Sequence, residues 1–414
     1  MGDLMRRFWI PVAASFELTP DGAPLRVRVL GEDLIAFRDT NGRVGVLGAL
    51  CPHRGAPLFF GRNEEDGLRC VYHGWKFDVD GKCVEMPNEA PEGDFKHKVR
   101  HLCYPCRERG GIVFAYMAGD GPPPPLPGFE FLAVPETHSM VMKRYQEANW
   151  LQFLEGDIDS SHGLFLHSAM TPENRSAVYA PQDRKSPPAF EVVDTDYGVM
   201  IAARRDRGDG KQYWRINQFL MPFWTMPPSI AGADAAYVVQ AWVPIDDENC
   251  MRYRIEWHPT RPLNEKERRH FEVFQVQDEF GRENPARPGS QWLSRMNKGN
   301  DYEIDRDRQK RWNYTGMGDS AVLQDLAVQE GMGPIANRTA EHLGPSDLGI
   351  IKARRRLLAS AKALRDQGTE PQEASHPEVF MVRAGTALLP PGADWLEEMR
   401  RVYVAVPGVN VPKP

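Results

Sequence analysis

Four residues in the first hundred have the types and spacing to hold an inorganic centre. They stand as Cys51-Pro-His53 and, further on, Cys70-Val-Tyr-His73. Each half puts a thiolate and an imidazole on one tight loop, and two such loops can bracket one small centre. Zinc accepts Cys₂His₂ as a tetrahedral structural site. A two-iron, two-sulfide centre uses the same residues differently, with both cysteines on one iron and both histidines on the other. Neutral imidazole in place of thiolate removes negative charge from that centre and raises its potential. Zinc fingers are small and bury little. These loops instead lie among hairpin-like runs in a long β-rich stretch, which favours iron and sulfide.

A second constellation is Glu155-Gly-Asp157-Ile-Asp159-Ser-Ser-His162-Gly-Leu-Phe-Leu-His167. On a helix, histidines five apart lie near one face, and a slight distortion lets both imidazoles converge. Two histidines and one carboxylate form the facial triad of non-haem Fe(II) sites, which leaves open positions for O₂. Alone, H-x-x-x-x-H is a weak signal, and two unrelated histidines are its commoner meaning. The upstream loops reverse that balance. The third ligand must come from far downstream, where Asp301, Asp305, Asp307, Asp319 and Asp325 are the candidates.

The elements that would position these groups fall into two parts. Residues 25–50 alternate apolar and polar positions around the turn signals Gly31-Glu32 and Asn41-Gly42. Residues 70–116 continue in that way, with a hairpin turn at Asp80-Gly81. Residues 1–120 are therefore expected to be a β domain. Pro122 to Pro125 form a stiff, extended spacer, which sets a linker at 121–129 and a second domain at 130–414. That second part is mixed. Helical patterns cover 149–168, 262–282 and 320–330, and strand-like runs cover 188–258. The stretch Pro345–Gln367 has a helix start at Ser346-Asp347. Its apolar stripe runs through Ile350, Ile351, Leu357, Leu358 and Leu364, and its Arg and Lys residues read as a solvated face.

Bulk properties exclude several classes. The chain has 414 residues, more than one ordinary core. A net charge of −6 argues against nucleic-acid or anionic-membrane partners. No apolar run has the length of a membrane span, and the start, with Asp3 before Arg6 and Arg7, lacks a signal-peptide pattern, so a cytoplasmic location is expected. Six cysteines are too few for a disulfide scaffold. Cys103-Tyr-Pro-Cys106 has no second half-site and reads as two structural cysteines, while Cys83 and Cys250 read as buried small apolar residues. His97, His101, His138, His258, His270, His342 and His376 read as structural or surface histidines. The two G-x-G-x-x-A matches, at Gly316 and Gly331, follow no strand of a βαβ unit. The chain thus lacks a nucleotide domain of its own, and a separate reductase is expected to feed it.

The stretches CPHRGAPL and CVYHGWKFD resemble the two cluster loops of Rieske iron–sulfur proteins, and Gly-Trp after the second histidine is typical of their oxygenase branch. NWLQFLEGDIDSSHGLFLH resembles the catalytic-iron segment of Rieske aromatic-ring-hydroxylating oxygenases, and the match then covers nearly the whole chain. The resemblance implies an α+β fold: an N-terminal all-β Rieske domain before a helix-grip (START-like) antiparallel-sheet catalytic domain. It implies a [2Fe–2S] cluster on Cys51, His53, Cys70 and His73, and a mononuclear Fe(II) on His162 and His167. Asp159 would be the carboxylate bridging to a cluster histidine of the neighbouring subunit. In the family the third ligand lies in a helical D-x-x-x-x-E context, which Asp325 to Glu330 fits. Many relatives carry Asn at the place of Glu155, whose role stays open.

GEDLIAFRD, CRERGGIVFAY, NDYEIDRDRQ and QDLAVQEGMGPIANRTAEHLGPSDLGIIKARRRLL resemble the phthalate 4,5-dioxygenase, phenoxybenzoate dioxygenase and aryl-ether O-demethylase group. That implies a terminal oxygenase α subunit without a β subunit, forming a homotrimer or stacked hexamer. Its partners would be O₂, an aromatic substrate and an NAD(P)H-dependent reductase, with or without a ferredoxin. Members begin some residues before Met1, so a shortened start is expected. Substrates in the group are commonly aromatic carboxylates, for which Arg204, Arg205 and Arg215 are candidate cations. The expected activity is ring dihydroxylation of a phthalate-like carboxylate. The alternatives are O-demethylation of a lignin-derived methoxylated aromatic and, in another class, an electron-transfer or zinc-structural protein without oxygenase activity.

Overall fold

The structure is a computed structural model that describes residues 1–119, 121–171, 187–207, 209–229, 234–269, 283–402 and 404–405. After a short helix α1 (Gly2–Arg6), the first part is built from small antiparallel sheets. One contains β1 (Trp9–Ala14). A second joins β2 (Leu25–Val29), β3 (Glu32–Arg38) and β4 (Val44–Gly48). The β2–β3 turn consists of Leu30 and Gly31, both at positive φ, and Glu32 already pairs with Val29. The turn is one residue earlier than the sequence signal, because two left-handed residues match the twist of paired strands. A third sheet, β5 (Arg62–Glu64), β6 (Gly67–Arg69), β7 (Lys76–Phe77) and β8 (Cys83–Glu85), carries the tip of this part. The tip has its own core, including Phe37, Leu58, Leu68, Trp75 and Phe77. Strands β9 (Cys103–Tyr104), β10 (Cys106–Arg109) and β11 (Ile112–Tyr116) return the chain, β9 to β4 and β11 to β1.

The prolines follow β11, and the indole N–H of Trp9 donates to the Pro124 carbonyl at 2.8 Å. The second part is one eight-stranded sheet with every ladder antiparallel. It begins with β12 (Ser139–Gln146), which leads into helix α2 (Trp150–Ile158). The meander β13 (Ala189–Thr195), β14 (Gly198–Asp206), β15 (Gln212–Leu220), β16 (Trp224–Met226), β17 (Tyr237–Pro244) and β18 (Cys250–Trp257) then closes back on β12. Every residue of β17 is buried, as expected of a strand covered on both faces. Helices α3 (Arg306–Arg311), α4 (Ala321–Gly331) and α5 (Leu348–Gln367) come next, then β19 (Gly385–Leu389), which pairs with β15, and α6 (Trp395–Val402).

Helix α2 lies across β15, β16 and β17, and α5 across β13 and β14. This is the expected helix-grip arrangement, with the core between one sheet and its helices. The buried stripe of α5 is Gly349, Ala353, Leu357 and Leu364, whereas Leu358 is exposed. Small residues lead the stripe because the helix sits close on the sheet: a Cβ on Gly349 would meet Ile201 at 2.8 Å. The expected helix at 262–282 shows 265–269 helical, and 270–282 lie outside the described residues. Among the described residues, no helix is long and apolar enough to cross a membrane. One apolar core joins both parts of the chain, running from Trp9 and Phe114 to Phe129, Phe153 and Trp224.

Candidate active site

The two Cys-His loops repeat one hydrogen-bond pattern. Cys51 N–H donates to Ala56 O at 2.8 Å and Gly55 N–H to Cys51 O at 2.9 Å; Cys70 N–H donates to Trp75 O at 2.8 Å and Gly74 N–H to Cys70 O at 2.9 Å. Gly55 and Gly74 turn the loops at φ of 73° and 78°, a region that side chains disfavour. Both thiols are buried, while the imidazoles are partly open and 4.4 Å apart. Trp75 stacks on His53 at 4.4 Å and is held by its N–H bond to Asn88 Oδ1 at 2.7 Å. Burial pushes the Cys51 thiol up to about 11, and nearby Cys70 adds to the shift. A buried thiol held this high needs a cationic centre beside it to stay a thiolate. Inner sulfurs and outer imidazoles suit a two-iron centre ligated differently at its two ends.

The second site lies under the large sheet. Asn149 caps α2, its side chain accepting from Leu151 N–H, and the helix stops at Ile158. The two histidines therefore do not share a helix face, contrary to the expectation from their spacing. Asp159 is already extended and accepts from Ser161 N–H at 2.7 Å and His162 N–H at 3.0 Å. That carboxylate turns the chain out of the helix, so His162 opens a short 3₁₀ turn and His167 follows it. The imidazoles still converge, with centroids 5.1 Å apart and planes at 84°.

Asp325, in the middle of α4, completes the group. Its Oδ1 lies 3.4 Å from His162 Nε2 and 3.1 Å from His167 Nε2. All three ligand atoms are within 4.8 Å of one another. Each ring is oriented from behind: His162 Nδ1 is 3.1 Å from Asp159 Oδ2 and His167 Nδ1 is 2.9 Å from Gln324 Oε1. Both partners are acceptors, so both Nδ1 atoms carry hydrogen and both Nε2 lone pairs face Asp325. Asp325 Oδ1 is buried and accepts no hydrogen bond among the described residues. Three acceptors aimed at one point repel one another unless a cation sits between them. Burial disfavours the Asp325 anion, but His167, His162 and Arg252 outweigh it and hold the carboxyl low. Burial likewise opposes charge on His162, yet Asp159 and Asp325 raise its pKa, with Arg215 pulling the other way.

The other aspartates have other work. Asp305 caps α3, Asp307 pairs with Arg311 at 3.9 Å, Asp319 pairs with Arg308, and Asp301 stands in a left-handed turn. Glu155 accepts from Arg354 at 2.6 Å, which ties α2 to α5, and from Arg338 in the turn before that helix. The basic run of α5 is thus not only a solvated face. Of the three candidate arginines, Arg204 pairs across the ladder with Trp214 and lies over its ring at 5.7 Å, on the face under α6. Strand alternation puts Arg205 and Arg215 on the opposite face. There Arg205 donates to Ser160 O at 3.1 Å, and Asn217 donates to Ile158 O at 3.1 Å. The Arg215 guanidinium has no hydrogen-bond or ion-pair partner among the described residues, and its Nε is buried.

Cys83, Cys103, Cys106 and Cys250 are unbridged. His101, His138 and His258 are bonded to Gly48 O, His258 O and Asp234, and His270 lies outside the described residues. Sequence spacing missed Gln324. It also missed the buried chain in which Asp157 accepts from Thr225 and from Gln240 Nε2 at 2.6 Å. Neither has a motif, because a polar residue inside a helix or strand shows its role only through what packs against it.

A metal triad beneath an antiparallel sheet, on the same chain as paired Cys-His loops, defines an oxygenase component that receives electrons one at a time. The chain belongs to the Rieske non-haem iron oxygenases, as their oxygenase subunit: residues 8–105 match the Rieske [2Fe-2S] domain, and residues 115–406 match the family described as LigXa C-terminal domain like. It is 39% identical over 409 residues to the 3-chlorobenzoate-3,4-dioxygenase oxygenase subunit of Comamonas testosteroni, covering 95% of this chain and 93% of that one. It is 36% identical over 426 residues to the phthalate 4,5-dioxygenase oxygenase subunit of Pseudomonas putida, covering 99% and 94%. In fold it is similar to the terminal oxygenase of carbazole 1,9a-dioxygenase from Nocardioides aromaticivorans, with a TM-score of 0.55, 21% identity and coverage of 88% and 98%. The subunit is an oxidoreductase that hydroxylates or demethylates aromatic compounds with O₂ and supplied electrons.

Proposed function

We propose that the substrate is an aromatic carboxylate and that the reaction is dihydroxylation of its ring. In this reading the Rieske part is 1–120, the linker 121–129 and the catalytic part 130–414, in the cytoplasm. The cluster ligands are Cys51, His53, Cys70 and His73, and the iron ligands are His162, His167 and Asp325. Held by these residues, a two-iron cluster would supply single electrons and a mononuclear Fe(II) would supply the O₂ chemistry. The balance is one aromatic, one O₂, two electrons and two protons giving one cis-dihydrodiol. Asp159 holds the His162 ring and carries the negative charge that faces the electron entry. Its partner is a cluster histidine of the next subunit in a trimer or stacked hexamer, fed by an NAD(P)H-dependent reductase.

The observation that carries the substrate class is Arg215. Its buried Nε has no partner among the described residues, and its charge acts on His162. The guanidinium is only half-buried and has no anion paired with it among the described residues, and a carboxylate is the ligand its planar fork fits. Arg205 on the same face is a second donor. The 3-chlorobenzoate and phthalate enzymes named above fit the same class. The test is oxygen uptake over aromatic acids and methoxylated aromatics with a surrogate reductase, followed by product analysis. A cis-dihydrodiol acid is expected. Arg215→Ala should raise KM for that acid about 10- to 100-fold and leave its neutral amide analogue nearly unaffected. Release of formaldehyde with a phenol would instead mean O-demethylation, and equal losses for acid and amide would remove Arg215 from substrate binding.

A further inference from the structure

We infer that Gln324 is the positioning residue that sets the tautomer and the ring plane of His167, an inference that rests on reading His162, His167 and Asp325 as the iron ligands. The two histidines are held from behind in different ways. His162 leans on the carboxylate of Asp159, whereas His167 leans on a neutral amide. That amide has a fixed orientation. Gln324 Nε2 donates to Gly318 O at 3.2 Å, so the amide oxygen, not its nitrogen, must face His167. The His167 Nδ1 must then carry the hydrogen, and its Nε2 presents a lone pair toward Asp325 Oδ1. If the amide were reversed, its oxygen would face the Gly318 carbonyl and its N–H groups would face Nδ1. The imidazole would then be pushed to carry its hydrogen on Nε2, where the ligand lone pair is needed. Gln324 is buried and adjoins Asp325 on α4, so one helix turn supplies both a ligand and the brace of another. The amide brings no charge. The asymmetry leaves negative charge behind His162 alone, on the side of Asp159.

The test uses the full-length protein with its cluster in place and the mononuclear site cleared by a mild chelator. Cobalt(II) is titrated into wild type, Gln324→Leu and Gln324→Glu. Cluster absorption and far-UV circular dichroism report folding. Wild type should bind one Co(II) and show two exchangeable, paramagnetically shifted ring N–H signals. Gln324→Leu should bind about 10- to 100-fold more weakly and lose one of those signals to solvent exchange. Gln324→Glu gives up the bond to Gly318 O but keeps an acceptor for the His167 Nδ1–H, so it should bind more tightly than Gln324→Leu and keep both signals. The inference is overturned if Gln324→Leu binds like wild type with both signals kept. It is equally overturned if Gln324→Glu is no better than Gln324→Leu, which would mark a packing role only. If wild type binds no Co(II), or binds it unchanged after His162→Ala and His167→Ala, the iron-site reading itself fails first.

Discussion

Asp159 carries three hydrogen bonds besides its contact with the His162 ring: Ser161 N–H, the Ser161 hydroxyl and His162 N–H. In Asp159→Asn the amide oxygen can take the place of Oδ2 and still accept from His162, so the ring stays in place and the metal stays bound. What disappears is the negative charge at the electron entry, together with the bond from Ser161 N–H that the NH₂ group cannot accept. Iron and cluster contents should be unchanged, while turnover falls about 10- to 100-fold. Mixing the reduced, substrate-bound protein with O₂ and following cluster absorption would read this directly. A variant that reoxidises its cluster at the wild-type rate would remove Asp159 from the route. Residues of this kind were partly legible from the chain. Cys51, His53, Cys70 and His73 stood out because metal ligands must share loops at fixed spacing. His162 and His167 were singled out by their spacing together with the upstream loops, but the roles of Asp159 and Asp325 needed the family resemblance. Gln324 had no signal at all, since its role comes from Gly318 and His167, distant in sequence.

At the scale of elements, the site depends on how close α2 and α4 come. Gln152 Nε2 donates to Gln329 O at 2.9 Å and Gly333 O at 3.0 Å, stitching the two helices together. Glu330 accepts from Glu147 N–H at 2.7 Å and from the Tyr302 hydroxyl. Gly156 lets the helices meet, because a Cβ there would lie 1.9 Å from Gln329 Nε2. In Gly156→Ala the buried Gln329 side chain must turn aside or α4 must move. We expect a loss of about 1–3 kcal/mol and a lower affinity at the mononuclear site, with the Rieske spectrum unchanged. Thermal melting with Co(II) titration would check it, and normal cobalt affinity would mean that Gln329 alone absorbs the strain. The helix at 320–330 was legible from its pattern. Its approach to α2 was not, because it depends on one glycine and on backbone carbonyls that no periodicity shows. The paired histidines misled for a similar reason: their spacing suits a helix, but the Asp159 carboxylate ends that helix first.

For the whole molecule, the question is where electrons cross. Within one chain the cluster thiols belong to the small core of the Rieske tip, while Ile158 and Leu323, beside the triad, belong to the large core. Among the described residues no hydrogen bond or ion pair joins the two sites. Around the cluster loops, Leu50, Phe60, Val71 and Tyr72 are each more than half exposed, as is unusual for large apolar side chains grouped at a tip. A second copy of the chain would cover them and bring His73 toward Asp159, as the ring proposed above requires. This gives a prediction that one chain cannot meet alone. Cys51→Ser with Cys70→Ser lacks the cluster, and His162→Ala lacks the iron; each should be inactive by itself. When the two variants are co-expressed in equal amounts, an iron-bearing subunit sits beside a cluster-bearing one in part of the rings. Turnover should return to about one quarter of wild type, the chance of that neighbouring order at each interface of a closed ring. Mixed assemblies that stay inactive, with each remaining centre present by metal analysis, would mean that electrons travel inside a single chain.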